Sequence, residues 1–154
     1  MNIIDILSLD CIKSSVSVSS KKKVLETLGG LIAIQNPELS EDEIFESLVS
    51  RERLGSTGIG HGVAIPHGRV KTEGKCIGCF MQLENAIDFD AIDGQPIDLV
   101  FGLLVPEEST DEHLQILSTL ATLFSSEAIC DKLRQATSAE EIHELITNWQ
   151  ATTE

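Results

Sequence analysis

The run Leu99-Val100-Phe101-Gly102-Leu103-Leu104-Val105 contains no polar side chain. Such a run indicates a strand covered on both faces, and that requires helices above and below the sheet that contains it. Helical signals lie on either side of it in the chain. Residues 20–35 carry Val24, Leu25, Leu28, Leu31 and Ile32 at helical spacing, and Asn36-Pro37 ends that helix. Ser40 with Glu43 forms a capping box ahead of Ile44, Phe45, Leu48 and Val49, which predicts a second helix over 41–53. Extended segments are predicted over 63–65, 75–83 and 97–105, with a turn in ENAIDFDAIDG between the last two. Capping boxes at Ser109 with Glu112 and at Ser138 with Glu141, and a cap at Ser126, predict three closing helices. The order fits an α/β fold, a three-layer α/β/α sandwich with a mixed sheet. It forms a single domain over 1–150, with residues 151–154 as a frayed tail.

The formal charge of −14 argues against nucleic-acid binding, because the one lysine cluster, Lys21 to Lys23, is too short to form a basic stripe. No apolar run approaches the roughly 20 residues of a membrane span, and the first ten residues carry acids where a signal peptide carries bases. The expectation is a cytoplasmic protein without membrane insertion. Of the four cysteines only Cys76 and Cys79 are close in sequence. On a strand they point to opposite faces, so buried reduced thiols are expected rather than a metal or redox pair.

Chemistry concentrates in residues 52–68, ERLGSTGIGHGVAIPHG. A glycine-rich loop leads into Val63-Ala64-Ile65, and Pro66, which lacks an N–H, is expected to end that strand and present His67. A Walker loop fails, because His61 and Gly62 stand where a lysine and a hydroxyl are needed. A dinucleotide fingerprint fails, because Gly58-x-Gly60 runs on to Val63 and follows a helix. The histidines lack metal-ligand spacing, so neither metal nor cofactor is expected. What remains is a histidine that is itself the reactant, its neutral nitrogen attacking phosphorus. The backbone amides around Gly55, Gly58 and Gly60, the hydroxyls of Ser56 and Thr57, and the Arg53 guanidinium are the candidates for steadying the phosphoryl oxygens. Arg53 could equally be a solvated helix-end arginine, the expectation for Arg51.

His113 falls in the first turn of a predicted helix, on the face of Ile116, Leu117 and Leu120. It reads as a satisfied core histidine or, if the strands before His67 and His113 are parallel, as a group at the same sheet edge. His61 is placed along the loop and His143 on the surface.

The chain resembles the type-2 IIA proteins of the bacterial phosphoenolpyruvate-dependent phosphotransferase system. That family's signature runs from an acidic or amide residue to an apolar-Ala-apolar-Pro-His-Gly run. Glu52, Ile59, Gly60, Val63, Ala64, Ile65, Pro66, His67 and Gly68 meet it. The similarity spans nearly the whole chain, and LGSTGIG looks most like the nitrogen-regulatory subgroup. The resemblance implies a phosphotransferase of the carrier kind. His67 would be phosphorylated, His113 would be the second active-site histidine, and Arg53 would stabilise the phosphoryl group. The donor would be a small histidine phosphocarrier protein. Its targets would be regulatory partners such as potassium transporters or sensor kinases. Two alternatives are the IIA step of fructose- or mannitol-type sugar uptake, passing phosphate to a IIB cysteine, and a binding module that lost phosphorylation.

Overall fold

The computed structural model describes residues 3–72, 74–108 and 111–149, apart from the side chains of 112–114. In chain order the elements are α1 (Ile3–Ile6), β1 (Leu7–Val16), α2 (Lys21–Gln35), α3 (Glu41–Glu52), β2 (Gly58–Gly60), β3 (Val63–Ala64), β4 (His67–Val70), β5 (Ile77–Ile87), β6 (Ile97–Pro106), α4 (Asp111–Phe124), α5 (Glu127–Gln135) and α6 (Ala139–Thr147). The sheet order is β1-β5-β6-β3-β2, with β4 also paired to β6.

The apolar run is β6, with β5 antiparallel on one side and β3 and β4 parallel on the other. Strand pleating sends alternate residues to opposite faces. Leu99, Phe101, Leu103 and Val105 join the core layer that includes Leu120, Leu133 and Ile142 of α4, α5 and α6. Val100 and Leu104 join the layer of Val24, Leu28, Ile44 and Leu48 from α2 and α3. This is the α/β/α sandwich with a mixed sheet. At Gly102 the absent side chain lets α2 close on the sheet, since a Cβ there would come within 3.1 Å of Leu28. The cysteines divide between the faces of the sheet: Cys76, one residue before β5, lies in one layer and Cys79 in the other, and all four are buried. Burial raises the thiols of Cys11, Cys79 and Cys130 above their ordinary value, which leaves them poor nucleophiles.

The helix caps follow the serines. The hydroxyls of Ser20, Ser40, Ser126 and Ser138 accept from the backbone N–H three residues on, at 3.1, 3.4, 3.4 and 3.2 Å. The Ser109 cap and the 151–154 tail lie outside the described residues.

Three strands depart from expectation. β1 precedes the first long helix. It is an edge strand burying Leu7, Cys11 and Ile12, with register shifts on either side of the Ile12 and Lys13 pairs, so it shows no clean alternation. β2 hairpins against β3. The strand does not end at Pro66 either. Pro66 cannot donate, but its carbonyl accepts from Leu103 N–H at 2.9 Å, and pairing resumes at His67 in the register that paired Val63 with Leu99. His67 therefore opens a strand.

Candidate active site

His67 sits in a pocket of about 640 Å³ lined from α3, β4, β6 and α4, by Ser47, Ser50, Arg51, Arg69, Val105 and Leu117 among others. β4 meets α3 closely because of Gly68: a Cβ there would overlap Ser47 Oγ and come within 3.0 Å of the Ser47 carbonyl carbon. A rotamer change cannot relieve a backbone contact, so a larger residue must push the helix away. Ser47 Oγ fastens the two elements by donating to the Arg69 carbonyl at 3.0 Å. Gly68→Ala is expected to destabilise the fold by about 1–3 kcal/mol and to slow any chemistry that needs α3 beside His67. Denaturant melts and activity on one preparation would check both.

Two hydrogen bonds fix the state of the imidazole. His67 Nδ1 lies 2.9 Å from the Ile65 carbonyl, which can only accept, so Nδ1 carries the proton. Arg51 Nε–H, which can only donate, points at Nε2 from 3.2 Å, so Nε2 presents its lone pair. The ring is held neutral, with its lone pair on Nε2. Burial is the chief cause holding the His67 pKa below the ordinary imidazole value; the Ile65 carbonyl opposes it, Arg51 lowers it further and Glu52 raises it.

His67 is accordingly expected to titrate below about 6.5, a value that NMR of the ring C–H protons would give. The folded ring binds a proton less readily than the unfolded one. Its contribution to stability is therefore complete above the unfolded-state pKa and is lost as pH falls through that value toward the folded one.

The cation at His67 is Arg51, in place of the expected Arg53. Arg51 lies seven residues beyond buried Ile44, within about 20° of it around the helix. Arg53 lies nine residues beyond, at roughly 180°, and its side chain is exposed at the C-cap. Arg51 Nη1 also donates to the Gly55 carbonyl at 2.9 Å, which braces the guanidinium. Helical spacing held the signal, since Ser47 and Arg51 are one turn apart and both reach β4.

The glycine loop does not present an anion cradle: four of the candidate donors are already engaged within the fold, and the Thr57 hydroxyl is buried. Gly55 N–H donates to the Glu52 carbonyl at 3.2 Å, Thr57 N–H to Glu52 Oε1 at 3.4 Å, and Gly58 N–H to Ser56 Oγ at 3.1 Å. The Ser56 hydroxyl donates to the Phe89 carbonyl, 3.0 Å away. The glycines serve a reversal: Gly60, His61 and Gly62 turn β2 into β3 at φ values of 99, 58 and 75°. His61 stands at the other end of β3 from His67, with Nδ1 3.7 Å from a Glu127 carboxylate oxygen. His143 is half-buried on α6.

β4 runs parallel to β6, and Val70 is paired with Pro106, so β4 and the strand that leads to α4 leave the sheet side by side. His113 belongs to the first turn of α4, one turn before the pocket residue Leu117; its side chain lies outside the described residues. Among the described residues no group of three or more His, Cys, Asp or Glu could hold a metal ion, and no helix is long and apolar enough to cross a membrane.

Known proteins agree with this architecture. The nitrogen regulatory protein of Klebsiella oxytoca is 46% identical over 144 residues, covering 93% of this chain and 88% of its own. The crystal structure of nitrogen regulatory protein IIA-Ntr from Neisseria meningitidis superposes with a TM-score of 0.88 at 45% identity, covering 94% of this chain and 99% of its own. A fructose-specific EIIA component from Haloferax volcanii is 31% identical over 141 residues, covering 92% of each chain. The family model for the phosphoenolpyruvate-dependent sugar phosphotransferase system, EIIA 2, matches residues 5–149, and the chain belongs to that family.

Proposed function

We propose that the chain is a cytoplasmic phosphoryl carrier of the nitrogen-regulatory kind. It takes a phosphoryl group onto His67 Nε2 from the phosphohistidine of a small histidine phosphocarrier protein, and its phosphorylation state controls partner proteins. The observation that carries this reading is the neutral His67 ring, with Nδ1–H on the Ile65 carbonyl and the Nε2 lone pair facing the Arg51 guanidinium.

In the transfer, the Nε2 lone pair attacks phosphorus. The donor's N–P bond breaks, and its electron pair returns to the donor ring nitrogen. The positive charge developing on the His67 ring is shared with the Ile65 carbonyl through Nδ1–H. Arg51 moves from the ring nitrogen to the incoming oxygens, where its planar fork can pair two of them. His113 is proposed as the second site histidine, because α4 carries it one turn before Leu117. Two negative charges added at the pocket would then alter any surface that docks over it, by repulsion or by arginine pairing.

The greater similarity to nitrogen regulatory proteins than to the fructose-specific component supports regulation, through targets such as potassium transporters or sensor kinases, over delivery to a IIB cysteine. The test is intact mass after incubation with phosphoenolpyruvate, the general enzyme and the phosphocarrier. One acid-labile phosphoryl group that persists when a IIB protein is added supports the regulatory reading. Rapid loss to that IIB protein would favour sugar uptake, and absence of modification would favour a binding module.

A further inference from the structure

The geometry points to Glu52 as a positioning residue: its buried carboxylate fastens the loop whose Gly55 carbonyl holds Arg51 against His67, an assignment that rests on the carrier reading. Glu52 follows Arg51 on α3 but is turned about 100° away from it, and its side chain is only 4% exposed. Oε1 accepts the Thr57 N–H at 3.4 Å and lies 3.3 Å from Lys21 Nζ at the start of α2. Lys21 in turn sits 4.8 Å from the Phe89 ring centroid, and the Phe89 carbonyl accepts from Ser56. The loop is thus tied at Ser56 and Thr57 to two other parts of the chain. Gly55, held between those ties and the end of α3, presents its carbonyl to Arg51 Nη1.

The carboxylate is not what stability alone would select. Glu52 Oε2 and Thr57 Oγ1 are buried without a hydrogen-bond partner, which is costly for either group. A glutamine could keep accepting the Thr57 N–H through its amide oxygen without burying a formal charge. Beyond its pairing with Lys21, the negative charge acts on the reaction centre, where it raises the proton affinity of His67 against the opposing Arg51.

The experiment compares phosphoryl acceptance from the phosphocarrier, across pH, for wild type, Glu52→Ala and Glu52→Gln, each with Arg51 intact and with Arg51→Ala. Glu52→Ala is expected to slow acceptance by about tenfold to a hundredfold, and to have no further effect once Arg51 is gone. Glu52→Gln is expected to recover most of the rate and to move the acid limb of the pH profile to lower pH. An unchanged rate in folded Glu52→Ala, or equal slowing with and without Arg51, would overturn the assignment. If Glu52→Ala does not fold, an unshifted profile in Glu52→Gln would overturn it. If wild type accepts no phosphate, the carrier reading fails separately. Positioning is then read from the NMR signal of the ring-bonded Arg51 Nε–H, which is expected in wild type and Glu52→Gln and lost in Glu52→Ala; its survival in Glu52→Ala would contradict the assignment.

Discussion

His67→Ala is expected to abolish acid-labile phosphoryl uptake while leaving the fold intact. The ring opens β4 at the end of the pocket, and the core beneath it is built from Ile65, Leu103 and Val105. Removing it gives up the bonds to the Ile65 carbonyl and Arg51, each worth about 1 kcal/mol net. Intact mass would read the first consequence and thermal melting the second. Phosphate retained by the variant would relocate the acceptor to another histidine. Loss of folding would mean that His67 holds the structure together in a way its half-buried position does not suggest.

Arg51→Ala is expected to slow acceptance roughly 10²–10³-fold, the range found when one donor to a developing oxyanion is removed, whereas Arg53→Ala stays near the wild-type rate. Arg51 has two effects at once. Its Nε–H favours the neutral Nδ1–H tautomer, and its fork lies against the nitrogen proposed to receive the phosphoryl group. Without it the His67 titration midpoint is expected to rise, since the guanidinium lowers the ring's proton affinity. Arg51→Lys would keep charge but not the planar pair of donors, so an intermediate rate is expected. Single-turnover transfer measured for the three variants in parallel would check the ranking. Equal effects of Arg51→Ala and Arg53→Ala would sink the geometric assignment.

The sandwich was legible because Leu99 to Val105 has no polar side to offer solvent and because serine caps mark the helix starts. Cys79 on β5 and Cys76, one residue before that strand, fell into opposite core layers. β1 was hidden because an edge strand needs few apolar residues, and Cys11 and Ile12 are both buried where alternation would bury one. β4 was hidden by Pro66, whose missing donor reads as a strand end although its carbonyl keeps the ladder in register. At the site, His67 stood out through the chemistry of its neighbours. Arg51 did not, because proximity in sequence favoured Arg53, while the helix wheel, counted from Ile44, turns Arg53 outward. The glycines were misleading for a related reason. Tight β-hairpins favour turns whose central residues take positive φ, as Gly60, His61 and Gly62 do, so glycine density marked a hairpin here instead of a phosphate cradle.

The most direct test is to locate the phosphoryl group on the ring. Uniformly ¹⁵N-labelled protein, phosphorylated through the phosphocarrier and held at alkaline pH, would show by NMR which nitrogen of His67 couples to phosphorus. Coupling at Nε2, with Nδ1 still protonated, is the predicted result. Coupling at Nδ1, or a phosphorylated nitrogen on any other histidine, would contradict it.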